Sequence, residues 1–125
     1  MSDETHLRRA RQRLRDRAQA RAERLEGMRR QAARDTEEIV RMIVQKYAPT
    51  RIYQWGSVLR PGGFREYSDL DIAVEGVSDA GTFFSLLREA QEMTRLPLDL
   101  VQIDRIAPAY ADGIRQHGKV LYERH

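Results

Sequence analysis

Residues 1–48 contain no proline and a single glycine, Gly27, which commits more than a third of this 125-residue chain to helix. Arg, Ala, Gln, Glu and Leu dominate the stretch, and all five are strong helix formers. Leu7, Leu14, Ala18, Leu25, Met28, Ala32, Ile39 and Met42 recur at helical spacing. The stripe is thin and alanine-rich at first, then stronger from Ile39 through Val40, Ile43 and Val44. The pattern predicts an arginine-rich helical arm over residues 1–34, and a helix from Asp35 to Tyr47 packed on a domain spanning 35–125. Asp35 is expected to cap that second helix, with Glu38 three residues on as its capping-box partner. Pro49 ends it.

Charge divides at the same place. Eleven arginines against six carboxylates leave +5 on residues 1–35, and therefore −2 on the rest of a chain whose formal charge is +3. The basic character belongs to the arm. No aromatic side chain interrupts its arginines to stack on bases, so nucleic acid is a poor fit as partner. A solvated face with intrahelical ion pairs, or docking of a second copy or another protein along the Leu/Ala stripe, suits it better. The chain has no cysteine, which excludes disulfides, thiolate metal sites and cysteine nucleophiles. No apolar run approaches the roughly 20 residues of a membrane span, and MSDETHLRRARQ does not read as a signal peptide. A cytoplasmic location is expected.

Beyond Pro49 the pattern is α/β: a small mixed sheet with flanking helices. Arg51–Trp55 reads as a strand with Ile52 and Gln54 on one face and Tyr53 and Trp55 on the other. Gly56–Gly63 reads as a loop, Leu70–Val74 as a strand and Ala80–Thr94 as a helix capped by Asp79. Leu98–Ile103 reads as a third strand, Ile106–His117 as a helix stopped by Gly118, and Lys119–Tyr122 as a short last strand. Helices alternating with strands predict one sheet with helices packed against it.

The chemistry lies between Trp55 and Glu75, and at Asp99. Residues i and i+2 of a strand share a face, so Asp69 and Asp71 project together while Leu70 and Ile72 point the other way. Paired carboxylates are unfavourable unless a cation or a proton neutralises one of them. Magnesium suits the pair, because it takes oxygen ligands and leaves room for phosphate oxygens. Asp99 sits between Leu98 and Leu100 and faces away from both. If its strand lies beside Leu70–Val74, the three aspartates converge, and two metals there could hold the attacking and leaving oxygens of an in-line displacement. Gly56 and Ser57, directly after a strand, can bring backbone N–H and hydroxyl donors to a triphosphate, with Arg60 and Arg65 neutralising its charge. Each piece has a plainer reading: a turn for Gly-Ser, a solvated edge for Ser-Asp-Leu-Asp, a surface carboxylate for Asp99. Their order and strand-compatible positions favour the catalytic one. Trp55 is expected in the core or beside the nucleotide, and Tyr67 near the metal site or in packing. His6, His117 and His125 have no ligand spacing.

Gly56-Ser57, Asp69-Leu-Asp71 and the later Asp99 resemble the pattern of the DNA polymerase β-like nucleotidyltransferase superfamily. Within it the chain looks like the minimal nucleotidyltransferases that act as antitoxins beside HEPN toxins, over roughly Ile39–Glu123. The resemblance implies the polymerase β-like fold, with ATP as substrate and Mg2+, two ions in number, as cofactor. It places Gly56 and Ser57 on the triphosphate and makes Asp69, Asp71 and Asp99 metal ligands, Asp99 also helping to activate the acceptor hydroxyl. It implies an antitoxin that transfers AMP to a hydroxyl, a tyrosine for instance, of a HEPN toxin partner. The sequence departs from the pattern in two ways. Eleven residues separate Ser57 from Asp69, one more than is usual, and Val58 stands where an arginine commonly follows Gly-Ser. The alternatives are an antitoxin that neutralises by binding alone, and transfer to a small molecule or an RNA end. After Asp99 little chain is left for an acceptor-binding domain, so an acceptor brought by another molecule is expected.

Overall fold

A computed structural model describes residues 2–56 and 69–125. The expected arm and packed helix are one uninterrupted helix, α1 (Asp3–Tyr47), capped by the Ser2 side chain, which accepts from the Thr5 N–H. At 1.5 Å per residue its 45 residues span about 68 Å, far more than the domain can cover. Its N-terminal part therefore stands in solvent, with Leu7 56% and Leu14 63% exposed. Glu26 pairs there with Arg29 at 2.7 Å and Arg30 at 3.6 Å.

Asp35 does not cap a helix. It lies within α1 and is buried, with Oδ1 accepting from Gln31 Nε2 and Oδ2 from Thr94 Oγ1, both at 2.8 Å. Nothing before it breaks the helix, so there are no free N–H groups for it to cap. The carboxylate instead pins α1 to the segment after α2 (Ala80–Glu92). That contact also explains why α2 stops short of Thr94: the hydroxyl of Thr94 holds Asp35 and accepts from the Leu96 N–H. Asp79 caps α2 as expected, accepting from the Thr82 N–H at 2.8 Å.

Strands β1 (Arg51–Trp55), β2 (Leu70–Glu75), β3 (Leu98–Gln102) and β4 (Lys119–Glu123) form a sheet in the order β3-β2-β1-β4. β1 is antiparallel to both β2 and β4, and β2 is parallel to β3. The parallel pair requires a crossover, which α2 supplies. A 3-10 turn (Ile103–Arg105) follows β3, and α3 (Pro108–His117) leads into β4. α3 begins at Pro108, later than Ile106, because proline at the first helical position has no N–H to leave unsatisfied.

The alternation expected in the strands sorts the sheet into two faces. Leu70, Ile72 and Val74 of β2 join Ile52, Leu86 and Leu100 in the main core, with Ala32, Ile39 and Ile43 of α1. Tyr53 and Ala73 face the other way and pack with Ile103, Ala111 and Ile114 in a smaller core beneath α3. Tyr47 and Lys46 of α1 both reach Glu89 of α2 at 2.9 Å, fixing the helices to one another. The smaller core covers only part of its face, and the carboxylates lie on that face.

Candidate functional site

Asp71 occupies the second position of β2, between Leu70 and Ile72, which are fully buried on the main-core face. Strand alternation sends its side chain to the α3 face. The parallel register places Asp71 opposite Asp99 of β3, and the antiparallel register places it opposite Trp55 of β1. Asp69 stands just before β2, where the Leu70 N–H donates to the Pro97 carbonyl at 2.8 Å and fixes the start of the pairing. The condition set by the sequence, that the Asp99 strand lie beside the Asp69/Asp71 strand, is met.

The electrostatics follow from that arrangement. Asp71 is half-buried, and this loss of solvent, followed by the charges of Asp99 and Asp69, pushes its carboxyl up to about 6. The charged form is disfavoured by its surroundings, so a cation placed there is favoured. Asp99 is exposed on the edge strand, open to an incoming molecule. Among the described residues, no three His, Cys, Asp or Glu side chains form a ready-made cage for a metal. Magnesium does not require one, since it is commonly held by one or two carboxylates together with substrate phosphates and water. A half-buried, destabilised carboxylate with two more beside it fits that demand.

Gly56 shows why glycine follows the strand. Its φ is +89°, and a Cβ added there would run into the Asp71 carboxylate, lying 2.8 Å from Cγ. The backbone therefore passes directly over the carboxylate, with no Cβ of its own to collide with it. Ser57, Arg60, Arg65 and Tyr67, together with the rest of the expected loop, lie outside the described residues.

Trp55 is half-buried and meets Tyr110 of α3 edge to face, with ring centroids 6.1 Å apart at 86°. It thus joins the rim of the site and the flank of the smaller core. Behind Asp71 on the same strand, Glu75 receives Arg115 of α3 at 2.6 Å and Tyr53 Oη at 3.4 Å, tying helix to sheet. The sequence reading assigned no part to Tyr110 or His117 of α3. The available signal was Gly113, a glycine inside a helix with no turn to make. No helix among the described residues is long and apolar enough to cross a membrane.

Comparison with known proteins agrees with this fold. One solved structure of similar fold, described as a toxin-antitoxin with AMP-PNP, is 22% identical with a TM-score of 0.58, covering 71% of this chain and 74% of that one. Another, the toxin-antitoxin MntA-HepT, is 21% identical with a TM-score of 0.52, covering 70% of each chain. No curated protein matches the chain. Residues 37–125, which hold the whole sheet and all three aspartates, match the family described as Polymerase beta, Nucleotidyltransferase, and the chain belongs to that family.

Proposed function

We infer that this protein is an antitoxin that transfers AMP from ATP, with magnesium, to a hydroxyl, a tyrosine for preference, of a HEPN-type toxin. The observation that carries the reading is the Asp71–Asp99 register beside Gly56, with Asp71 held near pKa 6. The likeness in fold to toxin–antitoxin structures, one of them with an ATP analogue, supports the choice of partner and nucleotide. Asp69, Asp71 and Asp99 would hold the magnesium ions. When bound, these neutralise the triphosphate and the charge that develops on it.

The chain's own groups supply the rest. Gly56, and Ser57 by its place in the motif, bind the triphosphate through backbone and hydroxyl donors, with Arg60 and Arg65 assigned to its outer charge. The acceptor oxygen forms a bond to the α-phosphorus while the bond to the bridging oxygen breaks, and pyrophosphate leaves. Asp99, on the exposed edge, takes the hydroxyl proton. In-line displacement then places the acceptor on the β3 side and the leaving group on the Gly56 side.

The test is calorimetry of Mg·ATP against wild type and the Asp69→Asn/Asp71→Asn double variant, followed by mass spectrometry of a HEPN-type toxin incubated with each. Binding lost in the variant, and an AMP adduct on the toxin made only by wild type, is the expected result. Full neutralisation of the toxin by the double variant would show instead that contact alone silences it.

A further inference from the structure

Beside the carboxylates, on the same face and at the same end of the sheet, lies an open cleft of about 580 Å3 between β1 and α3, lined by Trp55, Gly56, Tyr110, Gly113 and His117 among others. The volume is that of a small-molecule site. We propose that this cleft seats the nucleobase of the donor nucleotide, with the ring packed against Trp55 and Tyr110. The proposal rests on the nucleotidyl-transfer reading above and extends it to the part of the substrate that the Gly-Ser and aspartate residues do not touch.

Three independent features favour a base over any other occupant. The first is position. Trp55 is the direct cross-strand neighbour of Asp71, and β4 begins one strand further on. At about 4.8 Å per strand the cleft lies roughly 5–10 Å from the carboxylate, a gap that a ribose bridges. In-line geometry puts the acceptor on the opposite, β3 side, so the cleft falls to the donor. The second is the chemistry of the lining. Trp55 and Tyr110, set edge to face, offer an aromatic corner. The flat π-face of a base packs on such side chains, whichever base it is.

The third is Gly113. Among the described residues nothing lies within 4 Å of a Cβ added there, so their packing does not demand glycine. A glycine inside a helix costs roughly 1 kcal/mol relative to alanine. What the missing side chain leaves is space in the cleft wall.

The chain has a single tryptophan, so tryptophan fluorescence of the intact protein reports on the surroundings of Trp55. Tripolyphosphate separates the effect of phosphate at the neighbouring carboxylates from that of a base in the cleft. The experiment titrates Mg·ATP and Mg·tripolyphosphate, which shares the phosphates but has no base, into wild type, Gly113→Leu and Tyr110→Ala. Fluorescence and calorimetry are both read, with thermal melts to verify folding. Wild type is expected to show Trp55 quenching with ATP beyond that with tripolyphosphate. Gly113→Leu, which fills open space, is expected to weaken ATP about tenfold or more, the scale of one lost base stack, and to leave tripolyphosphate unchanged. Tyr110→Ala is expected to do the same more weakly. If both variants bind ATP as wild type does while tripolyphosphate binding stays intact, the cleft is not the base site, and the nucleotidyl-transfer reading survives. If wild type binds neither ligand, that reading fails and takes this inference with it.

Discussion

Replacing Asp71 with asparagine is expected to make the metal-free protein more stable at neutral pH while removing its response to magnesium and ATP. The first half follows from linkage. Asp71 titrates near 6 in the folded chain against an ordinary value of 3.8, so the native state holds its proton more tightly than the unfolded state does. A carboxyl with a raised folded pKa contributes its full stabilisation below about pH 4, and that contribution is lost as pH rises to about 6. Two pKa units correspond to about 3 kcal/mol for a group shielded from solvent. Asp71 is only half-buried, so water screens much of this, and about 1 kcal/mol is the expected residue. Asparagine keeps the shape and carries no charge, so it escapes the penalty. In a chain of this size that amounts to about 4 °C in Tm. The assay is thermal unfolding by circular dichroism in chelator at pH 5 and pH 7.5, then at pH 7.5 with Mg·ATP. The variant should melt above wild type at pH 7.5, with the gap narrowing at pH 5. Mg·ATP should raise wild type alone, since only a ligand bound to the native state stabilises it. An Asp71→Asn protein that melts lower than wild type at pH 7.5 would refute the reasoning, because the carboxylate would then be held by favourable partners.

Three further outcomes follow from particular contacts. Gly56→Ala forces a side chain into the Asp71 carboxylate at a φ of +89°, and a loss of roughly 1–3 kcal/mol in urea unfolding, together with loss of ATP binding, is expected. Asp35→Ala strips the buried partner from Gln31 and Thr94, and should cost about 1–3 kcal/mol in the same assay without changing affinity for Mg·ATP. Deleting residues 2–24, which place no side chain in either core, should leave the denaturation midpoint of the domain within the change expected of a surface alteration, roughly 0.5 kcal/mol.

The sequence by itself determined the elements and the direction in which the aspartates face. A proline-free, glycine-poor run of strong helix formers with helical spacing favours helix, and a period of two in Leu70–Val74 and Leu98–Gln102 fixes which side chains share a face, because both are properties of neighbouring residues along one chain. Asp79 was legible for the same reason: its partner, Thr82, is three residues away. Asp35 carried the same local signature, followed by Glu38, and there the local argument misled. Its true partner is Thr94, fifty-nine residues on, and no spacing rule reaches across that distance. The meeting of Asp71 with Asp99 was a conditional statement until strand order was known, since pairing between β2 and β3 depends on the crossover through α2 and on nothing within either strand. The raised pKa of Asp71 likewise required both burial and a neighbouring strand. The cleft was the least visible feature. Trp55 lies more than fifty residues before Tyr110 and Gly113 in the chain, and only the packing of α3 over β1 brings them to one wall. Local sequence sets period and capping, which act within a few residues. Long-range burial and charge act through space, and only the folded chain decides which groups they join.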